Sequence, residues 1–510
     1  MAHFNRRSLL ALAAGGLAGA GGSALSAPRV TEVTELGGVR LAAAIRARKV
    51  SCVEAMTAHL DQIERLNPAV NAIVALGDRG DLLKQAQACD DQLTRKQPLG
   101  LLHGLPHAVK DLSAVKGFRT TQGSPIYKDF IATTDALPVE RLRAAGAIFI
   151  GKTNTPEFGL GSHSYNPVYG VTRNAYDQTR SAGGSTGGGA VALALRMVPL
   201  ADGSDYGGSL RNPAGWNGVY GFRTSIGRVP TEAPDAWLPS MGVVGPMARS
   251  VADLALLLSI QAGFDPRAPL SMESSGDQFR GPPPASVRGK RIAWVGDLKG
   301  ALPYEPGVLD VCRGALKTFE ALGCVVEEAV PDYPVDKAWN AFVRLRGWQQ
   351  GAPLIQHYEN PARRTLLKPE AIYEIELGLG LSARDITAAS IVRSEWTQAV
   401  RRFFQRYDYL IMPTAQVFPF EAQQHWPRQI AGVTMQTYHE WMKGVCLVTA
   451  AGCPALAVPA GFGPAGLPMG IQIVAPVHHE IDCLTLAAAY EHAAGDSVVR
   501  PSPLLHPRSR

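Results

Sequence analysis

Residues 183–209 read GGSTGGGAVALALRMVPLADGSDYGGS and place two serines among glycines. The serines, Ser185 and Ser209, are 24 positions apart (209 − 185 = 24). A lysine, Lys110, precedes the first serine by 75 positions (185 − 110 = 75) in the segment Val-Lys-Asp. One amine and two hydroxyls are the groups that a nucleophile with a proton relay requires. This spacing indicates an enzyme.

The segments before the two serines differ in character. Residues 177–181 are polar and predict a loop before Ser185, whereas residues 197–201 are apolar and predict a buried strand that leads to Ser209. A Gly-x-Ser-x-Gly pattern around Ser185 also matches the nucleophile elbow of α/β-hydrolases, but an elbow follows a buried strand. We therefore assign nucleophilic attack to Ser209 and keep Ser185 as the alternative nucleophile.

The lysine and the two serines, in this order and spacing, resemble the amidase signature family. Similar segments continue along most of the chain, at residues 151–158, 197–205, 209–214, 218–223 and 454–461. Residues 1–27 and 333–430 are the stretches that do not obviously fit the family pattern. The resemblance implies an α/β fold in which a central mixed β-sheet is covered by helices on both faces. It also implies an amidase, an amidohydrolase that acts on linear amides.

By resemblance, Lys110, Ser185 and Ser209 form a catalytic triad, with Ser185 held on a cis peptide bond. Burial would disfavour the charged form of Lys110 and let its amine accept a proton, whereas an isolated Val-Lys-Asp is usually a surface lysine paired with Asp111. Protons would pass from Ser209 through Ser185 to Lys110 and later to the leaving amine. An acyl-Ser209 ester would remain, and water would release the acid.

The resemblance also implies an oxyanion hole of four backbone N–H groups, those of Tyr206, Gly207, Gly208 and Ser209. Glycines at such a place let N–H groups converge on the negative oxygen of a tetrahedral intermediate. Asp205 and Arg211 would support this loop, and their ordinary interpretation is a structural ion pair. The sequence departs from the commoner family pattern at Thr186, where a second serine is usual, and at Gly189 and Thr224.

Histidine is the usual base for serine, and the chain has 12 histidines. His103 and His107 flank the lysine segment, His163 lies in a Gly-Ser loop, and residues 478–480 predict a solvated turn, so none is favoured as the base. The sequence contains no Cys-x-x-Cys pair, no His-Glu-x-x-His motif and no P-loop. We therefore expect no metal and no cofactor.

Substrate contacts are predicted from aromatic residues and from the stretch that departs from the family. Residues 333–430 are rich in charged and aromatic side chains and are predicted to form helices that cover the pocket. The candidate substrate-binding residues are Tyr127, Thr186, Trp216, Trp237 and Trp348, although a buried aromatic is more often plain core. An aryl or medium-length acyl amide is the expected substrate, with esters and carbamates as further acyl donors.

The N-terminus predicts export. Residues 5–10, NRRSLL, are similar to a twin-arginine start, and an apolar stretch rich in alanine and glycine follows. Residues 1–27 are therefore predicted to be a signal peptide that is cleaved between Ala24 and Ala27. The apolar stretch is short and glycine-rich, so we expect no stable membrane span in the mature chain. The expected location is the periplasm or the extracellular medium.

Residues 28–510 are predicted to form a single domain with four parts. These are a helical N-terminal cover (28–70), a catalytic core (71–332), a variable helical region (333–430) and the C-terminal part of the core (431–510). Helices beside a sheet are indicated by strand-like runs at 147–151, 291–296, 324–329 and 409–412 and by helical runs at 36–67, 252–262 and 309–322. Residues 455–459 and 470–474 are predicted to be neighbouring strands.

Charge and cysteine content limit the partners. The net charge of +6 falls to +4 without Arg6 and Arg7 (6 − 2 = 4), and the sequence has no dense basic run, so nucleic acid is not expected. The expected partners are a small amide substrate and water. Whether the protein forms a homodimer is left open by the sequence. Seven cysteines are too few for a disulfide scaffold, and Cys446 with Cys453 is the first candidate pair.

Three functional classes stay open at this point. The first is a stand-alone amide hydrolase. The second is the glutamine-hydrolysing subunit of a tRNA amidotransferase, which the export signal opposes because such subunits work in the cytoplasm. The third is a non-catalytic binding protein on the same scaffold, which the presence of Lys110, Ser185 and Ser209 opposes.

Overall fold

The computed structural model describes residues 30–233, 235–238, 240–281 and 286–506. The predicted export signal, residues 1–27, lies outside these ranges. Within them, no helix has the length and the apolar character that crossing a membrane requires.

The strands of the described ranges are β1 (Ile73–Val74), β2 (Pro106–Lys110), β3 (Ile148–Thr153), β4 (Tyr165–Asn166), β5 (Gly170–Val171), β6 (Ala201–Asp205), β7 (Tyr220–Arg223), β8 (Val243–Ala248), β9 (Arg291–Trp294), β10 (Val325–Glu328), β11 (Tyr409–Pro413), β12 (Gln429–Ile430), β13 (Val433–Thr434), β14 (Ala455–Phe462) and β15 (Pro468–Val474). Eleven of them form one sheet in the order β1-β3-β2-β6-β8-β7-β14-β15-β11-β9-β10. The two remaining pairs, β4 with β5 and β12 with β13, are separate small sheets.

The α-helices of the same ranges are α1 (Val30–Glu35), α2 (Gly38–Arg46), α3 (Cys52–Val70), α4 (Arg79–Thr94), α5 (Leu137–Ala144), α6 (Gly187–Ala194), α7 (Arg211–Asn217), α8 (Val251–Gln261), α9 (Val308–Ala321), α10 (Val335–Gly351), α11 (Ile355–Glu359), α12 (Pro361–Arg364), α13 (Pro369–Leu379), α14 (Ala383–Phe403), α15 (Lys443–Ala451) and α16 (Glu480–Ala494). The sheet is mixed, because β2 is parallel to β3 and β6 whereas β6 is antiparallel to β8. The predicted α/β fold, a mixed sheet flanked by helices, is confirmed.

One predicted helix is divided in the structure, and one predicted strand pair is present. The run 36–67 forms two helices, α2 and α3, because Arg48 has a φ of 55° after α2 and the chain turns there. Ser51 then begins α3 with a capping box, in which its hydroxyl accepts from the Glu54 N–H and the Glu54 carboxylate accepts from the Ser51 N–H. The predicted strands at 455–459 and 470–474 do pair, as antiparallel β14 and β15.

The strand that leads to Ser209 begins later than predicted. Residues 197–200 connect α6 to the sheet, and β6 starts at Ala201, opposite Ala108 of β2. The two parallel strands therefore end at the same edge of the sheet, β2 at Lys110 and β6 four residues before Ser209. The carboxyl ends of parallel strands are where α/β proteins place their ligands. The lysine and the second serine are brought together by this strand pairing.

Candidate active site

Lys110, the last residue of β2, is buried with 1% of its surface exposed. Its Nζ lies 2.7 Å from the Ser185 Oγ and 2.9 Å from the Thr186 Oγ1. It also lies 3.0 Å from the Ser204 Oγ and 3.3 Å from the Ser204 carbonyl oxygen. The amine is thus surrounded by neutral oxygens, and the surface-lysine interpretation is wrong.

Burial sets the electrostatics of this amine. Desolvation lowers the pKa of Lys110 to about 7, although the carboxylates of Asp205 and Asp202 act in the opposite direction. The neighbouring Asp111 does not neutralise it, because that carboxylate accepts from the Thr121 hydroxyl and lies 3.8 Å from the Nζ of Lys152. Lys110 is therefore neutral in a large fraction of molecules near pH 7.

Ser185 is held in a tightly packed turn. The Gly184–Ser185 peptide bond is cis, as the resemblance implies. A Cβ added to Gly184 would lie 2.9 Å from the backbone nitrogen of His163, so no side chain fits at position 184. The helix α6 begins two residues after Ser185, and its Gly187 N–H donates to the Ser164 hydroxyl at 3.0 Å.

The second serine lies beside the first. The N–H of Thr186 donates to the Ser209 carbonyl oxygen at 3.2 Å, which ties the two serine segments together. Ser209 has 7% of its surface exposed, more than the 2% of Ser185. Gly208 has a φ of +100°, and a Cβ there would lie 2.0 Å from the Asn212 Oδ1, so this position requires glycine.

The backbone N–H groups of the second serine segment correct one expectation. The Gly208 N–H donates to the Asp205 Oδ1 at 3.0 Å and is already paired. The N–H groups of Tyr206, Gly207 and Ser209 have no acceptor in the described part of the chain. Three of the four expected donors are thus free to stabilise a negative oxygen.

Asp205 is a buried anchor for this loop. It accepts from the Leu210 N–H at 3.1 Å and from two guanidine nitrogens of Arg211 at 3.0 and 2.9 Å. Burial acts to raise the pKa of Asp205, but Arg211 and Arg223 hold it well below its usual range. Arg211 reaches further, to the Gln472 Oε1 at 2.7 Å. The predicted ion pair of Asp205 and Arg211 is present, at 2.9 Å.

Three polar residues of this site were not predicted from the sequence. Ser204 lies against the lysine, and the Arg223 Nη1 donates to the Asp205 carbonyl oxygen at 2.8 Å. The sequence signal for Ser204 is its position in β6, directly before Asp205. Gln472 lies 261 positions from Arg211, and no local pattern predicts that contact.

The histidines near the site have other partners. His163 is buried, its Nδ1 lies 2.7 Å from the Ser181 Oγ and its Nε2 lies 3.0 Å from the Ala422 carbonyl oxygen. The Nε2 of His107 lies 2.9 Å from Asp202, and the Nε2 of His103 lies 3.0 Å from the Cys89 carbonyl oxygen. In the predicted turn at 478–480, Glu480 is buried and pairs with Arg228 at 2.7 Å.

Region 333–430 packs on the segment that precedes Ser185. Tyr127 forms a hydrogen bond at 2.9 Å with the Nε2 of His357, whose ring stacks on Phe158. Phe158 also packs against a small apolar cluster that consists of Leu160, Leu354, Leu367, Ala371 and Ile375. A Cβ on Gly159 would lie 3.6 Å from the Ser185 Oγ, so the backbone after Phe158 lies against Ser185.

The three predicted tryptophans have different positions. Trp216 is fully buried, stacks on Trp441 and donates its indole N–H to the Val417 carbonyl oxygen, which places it in the core rather than in an open pocket. Trp237 is 67% exposed. Trp348 lines a cavity of about 830 Å³. The prediction that all three tryptophans contact the substrate is therefore wrong for Trp216, which is packed in the core, and Trp237 lies at the surface.

Arg346 of α10 connects region 333–430 to the loop that contains Tyr206. Its guanidinium carbon lies 4.9 Å from the ring centroid of Tyr206, and its Nε donates to the Glu374 Oε1 at 2.7 Å. Tyr438 and His439 also hydrogen-bond to the Glu374 carboxylate. The pKa of Glu374, which burial alone would raise, is lowered to about 2 by Arg346 and His439. A charged and fully buried cluster thus lies directly behind Tyr206.

Comparison with known proteins shows the family of this chain. The model of the Amidase family matches residues 54–484. An acylamidase of Rhodococcus erythropolis is 34% identical over 469 residues, which is 91% of this chain and 96% of that protein. A glutamyl-tRNA(Gln) amidotransferase subunit of Thermus thermophilus is 35% identical over 484 residues, 89% of this chain and 97% of that one.

A solved structure is similar as well. A bacterial aryl acylamidase of the amidase signature family superposes with a TM-score of 0.84 at 28% identity, covering 90% of this chain and 96% of that one. The chain therefore belongs to the amidase signature family. It is an enzyme that hydrolyses amides.

Proposed function

We propose that Ser209 is the nucleophile of this amidase and that Lys110 is its base, acting through Ser185. The observation that supports the base most directly is the 2.7 Å distance between the Lys110 Nζ and the Ser185 Oγ, in a site where burial lowers the pKa of the lysine to about 7. A neutral amine accepts a proton, and the serine hydroxyl between the two groups both donates and accepts.

The reaction then follows from the charges. As the Ser185 oxygen takes the proton of Ser209 and passes its own to Lys110, the Ser209 Oγ attacks the amide carbonyl carbon. The carbonyl oxygen becomes negative and is stabilised by the free N–H groups of Tyr206, Gly207 and Ser209. The protonated lysine returns the proton through Ser185 to the leaving amine, and the acyl-Ser209 ester remains. Water repeats the sequence and releases the carboxylic acid.

The substrate is proposed to be an aryl or medium-length acyl amide. The apolar cluster that Leu160 forms with residues of region 333–430, together with the rings of Tyr127, Phe158 and His357, lies next to the segment that contacts Ser185. Such a surface favours an apolar group beside the reacting carbon. The similarity to an acylamidase and to an aryl acylamidase points in the same direction.

A panel of substrates tests this proposal. The purified enzyme should hydrolyse an anilide and a medium-chain acyl amide with a kcat/KM at least about 10²-fold above that for glutamine, because a site with apolar walls gains little from the charged α-ammonium and α-carboxylate groups of glutamine. Matched esters and carbamates should acylate the same serine. A preference for glutamine would favour the amidotransferase subunit instead, and hydrolysis of nothing in the panel would favour a binding protein.

We also propose that the enzyme is exported by the twin-arginine route, because of the NRRSLL start at residues 5–10. Residues 1–27 fused to a reporter should carry it across the inner membrane. Replacing both Arg6 and Arg7 by lysine should reduce export at least about tenfold, since the route reads the paired guanidinium groups. A double variant that is exported at the original rate would indicate the general secretory route.

A further inference from the structure

Two of the seven cysteines meet where α3 and α4 pack together. Cys52 is the first residue of α3 and is fully buried, whereas Cys89 lies near the end of α4 and is partly exposed. The next residue of α4, Asp90, caps the start of α3, since its carboxylate accepts from the Cys52 N–H at 2.8 Å and from the Val53 N–H at 3.1 Å. These bonds fix the two helix ends against each other.

Gly104 lies beside the pair, and its lack of a side chain leaves room for the Cys52 sulfur. A Cβ on Gly104 would lie 2.3 Å from the Cys52 Sγ, 3.0 Å from the Cys52 Cβ and 3.7 Å from the Cys89 Cβ. Both cysteine Cβ atoms therefore lie within 3.7 Å of one point in space, which makes the two side chains neighbours. The other candidate pair has different surroundings. The Cys446 Sγ contacts the Gly207 carbonyl oxygen at 3.9 Å, whereas Cys453 lies beyond the end of α15.

The two thiols also differ chemically. A hydrogen bond from the Cys52 thiol lowers the pKa of Cys89, despite burial and the neighbouring Asp90 carboxylate, which act to raise it. The same contact, together with burial, raises the pKa of Cys52. The Cys89 sulfur is also the more accessible of the two, so it is the one that an external oxidant reaches, whereas the Cys52 sulfur is buried. An attacking cysteine with a resolving cysteine beside it has this arrangement.

We propose that Cys52 and Cys89 form a reversible disulfide that links the start of α3 to the end of α4. The oxidant is a disulfide of the small-molecule or protein class. The Cys89 thiolate attacks one sulfur of that oxidant and displaces a thiolate. The Cys52 thiol then loses its proton, attacks the Cys89 sulfur and displaces the second thiolate. Two cysteine thiols are oxidised, and one external disulfide is reduced to two thiols.

The linkage would strengthen the N-terminal helical cover without touching the catalytic residues. It closes a loop of 37 positions (89 − 52 = 37), and closing a loop of this length constrains the unfolded chain. The inference rests on the placement of the two thiols and is independent of the export route and of the substrate.

The test is a thiol count on the purified enzyme after equilibration with oxidised or reduced glutathione. Denaturing alkylation should find seven thiols in the reduced protein and five in the oxidised protein (7 − 2 = 5), and peptide mapping without reductant should find residues 52 and 89 in one linked species. The oxidised protein should melt about 3–6 °C above the reduced one. Amidase activity should be the same in both forms.

Matched variants separate this disulfide from general oxidation. Cys89→Ser should lose no thiols on oxidation and should melt at the same temperature in both buffers, whereas Cys324→Ser should still lose two. Because Cys89 is only partly buried, its replacement should leave the fold intact, and Cys89→Ala provides a second variant. The proposal is overturned if Cys52 and Cys89 are both alkylated after oxidation, or if Cys89 stops at a mixed disulfide with glutathione.

Discussion

Replacing Ser209 by alanine should lower kcat by on the order of 10⁴–10⁶ while the protein stays folded, because no other hydroxyl of the site can form the acyl-enzyme. The substitution removes one oxygen from a residue that is 7% exposed, so the melting temperature should change little. Hydrolysis of an anilide, followed by absorbance, measures the rate, and thermal denaturation measures the fold.

A fluorophosphonate that reacts with activated serines supplies the control. It should label Ser209 in the wild-type enzyme, and the label should be lost in Ser209→Ala. Ser390→Ala, on the exposed side of α14, should keep both the label and the rate. A label mapped to Ser185 would reverse the assignment and restore the nucleophile-elbow interpretation.

Replacing Lys110 by alanine should lower kcat by about 10²–10⁴, the range expected when a general base is lost. Lys110→Arg should not rescue the rate, because a guanidinium stays protonated and cannot accept a proton. Near-normal turnover by the arginine variant would show that Lys110 acts only as a fixed positive charge. The base would then have to be sought elsewhere, first among His103, His107 and His163.

The same lysine predicts the pH dependence. The folded pKa is lowered to about 7, so the neutral form increases as the pH rises, and kcat/KM should rise through pH about 7 and then level off. Two pH units below that midpoint, about a hundredth of the plateau rate should remain. Lys152→Met removes another buried lysine, on the neighbouring strand β3, and should leave the midpoint in place even if stability falls. If the midpoint of the pH profile shifted in Lys152→Met, the assignment of that midpoint to Lys110 would be contradicted.

Much of this site was predictable because its parts are local in sequence. Each serine has its own glycines, and Lys110 ends a buried strand, so the residue types and their order were sufficient to predict the family and the hydrolysis of amides. The strand pair 455–459 and 470–474 was predictable for a similar reason, since the turn between the strands is short.

The predictions from the sequence were wrong where contacts between residues far apart in the sequence determine the structure. Trp216 looked like a pocket residue, but Trp441, which is 225 positions later (441 − 216 = 225), stacks on it and makes it core. The pairing of the Gly208 N–H depends on how Asp205 is oriented by Arg211 and Arg223. The positions of the cysteines in the sequence do not indicate which of them are neighbours in the fold. Cys52 and Cys89 become neighbours because α3 packs on α4.

Arg346 constrains how this enzyme can acquire new substrates. Its side chain, on α10, contacts both Glu374 of α13 and the ring of Tyr206, whose backbone N–H is one of the free donors. A laboratory selection that widens the pocket through substitutions in α10 or α13 will therefore also shift the backbone N–H of Tyr206. Variants that accept a broader range of substrates should then have a lower kcat as well as a lower selectivity. Libraries that hold Arg346 and Glu374 fixed and diversify the surrounding apolar positions avoid that coupling.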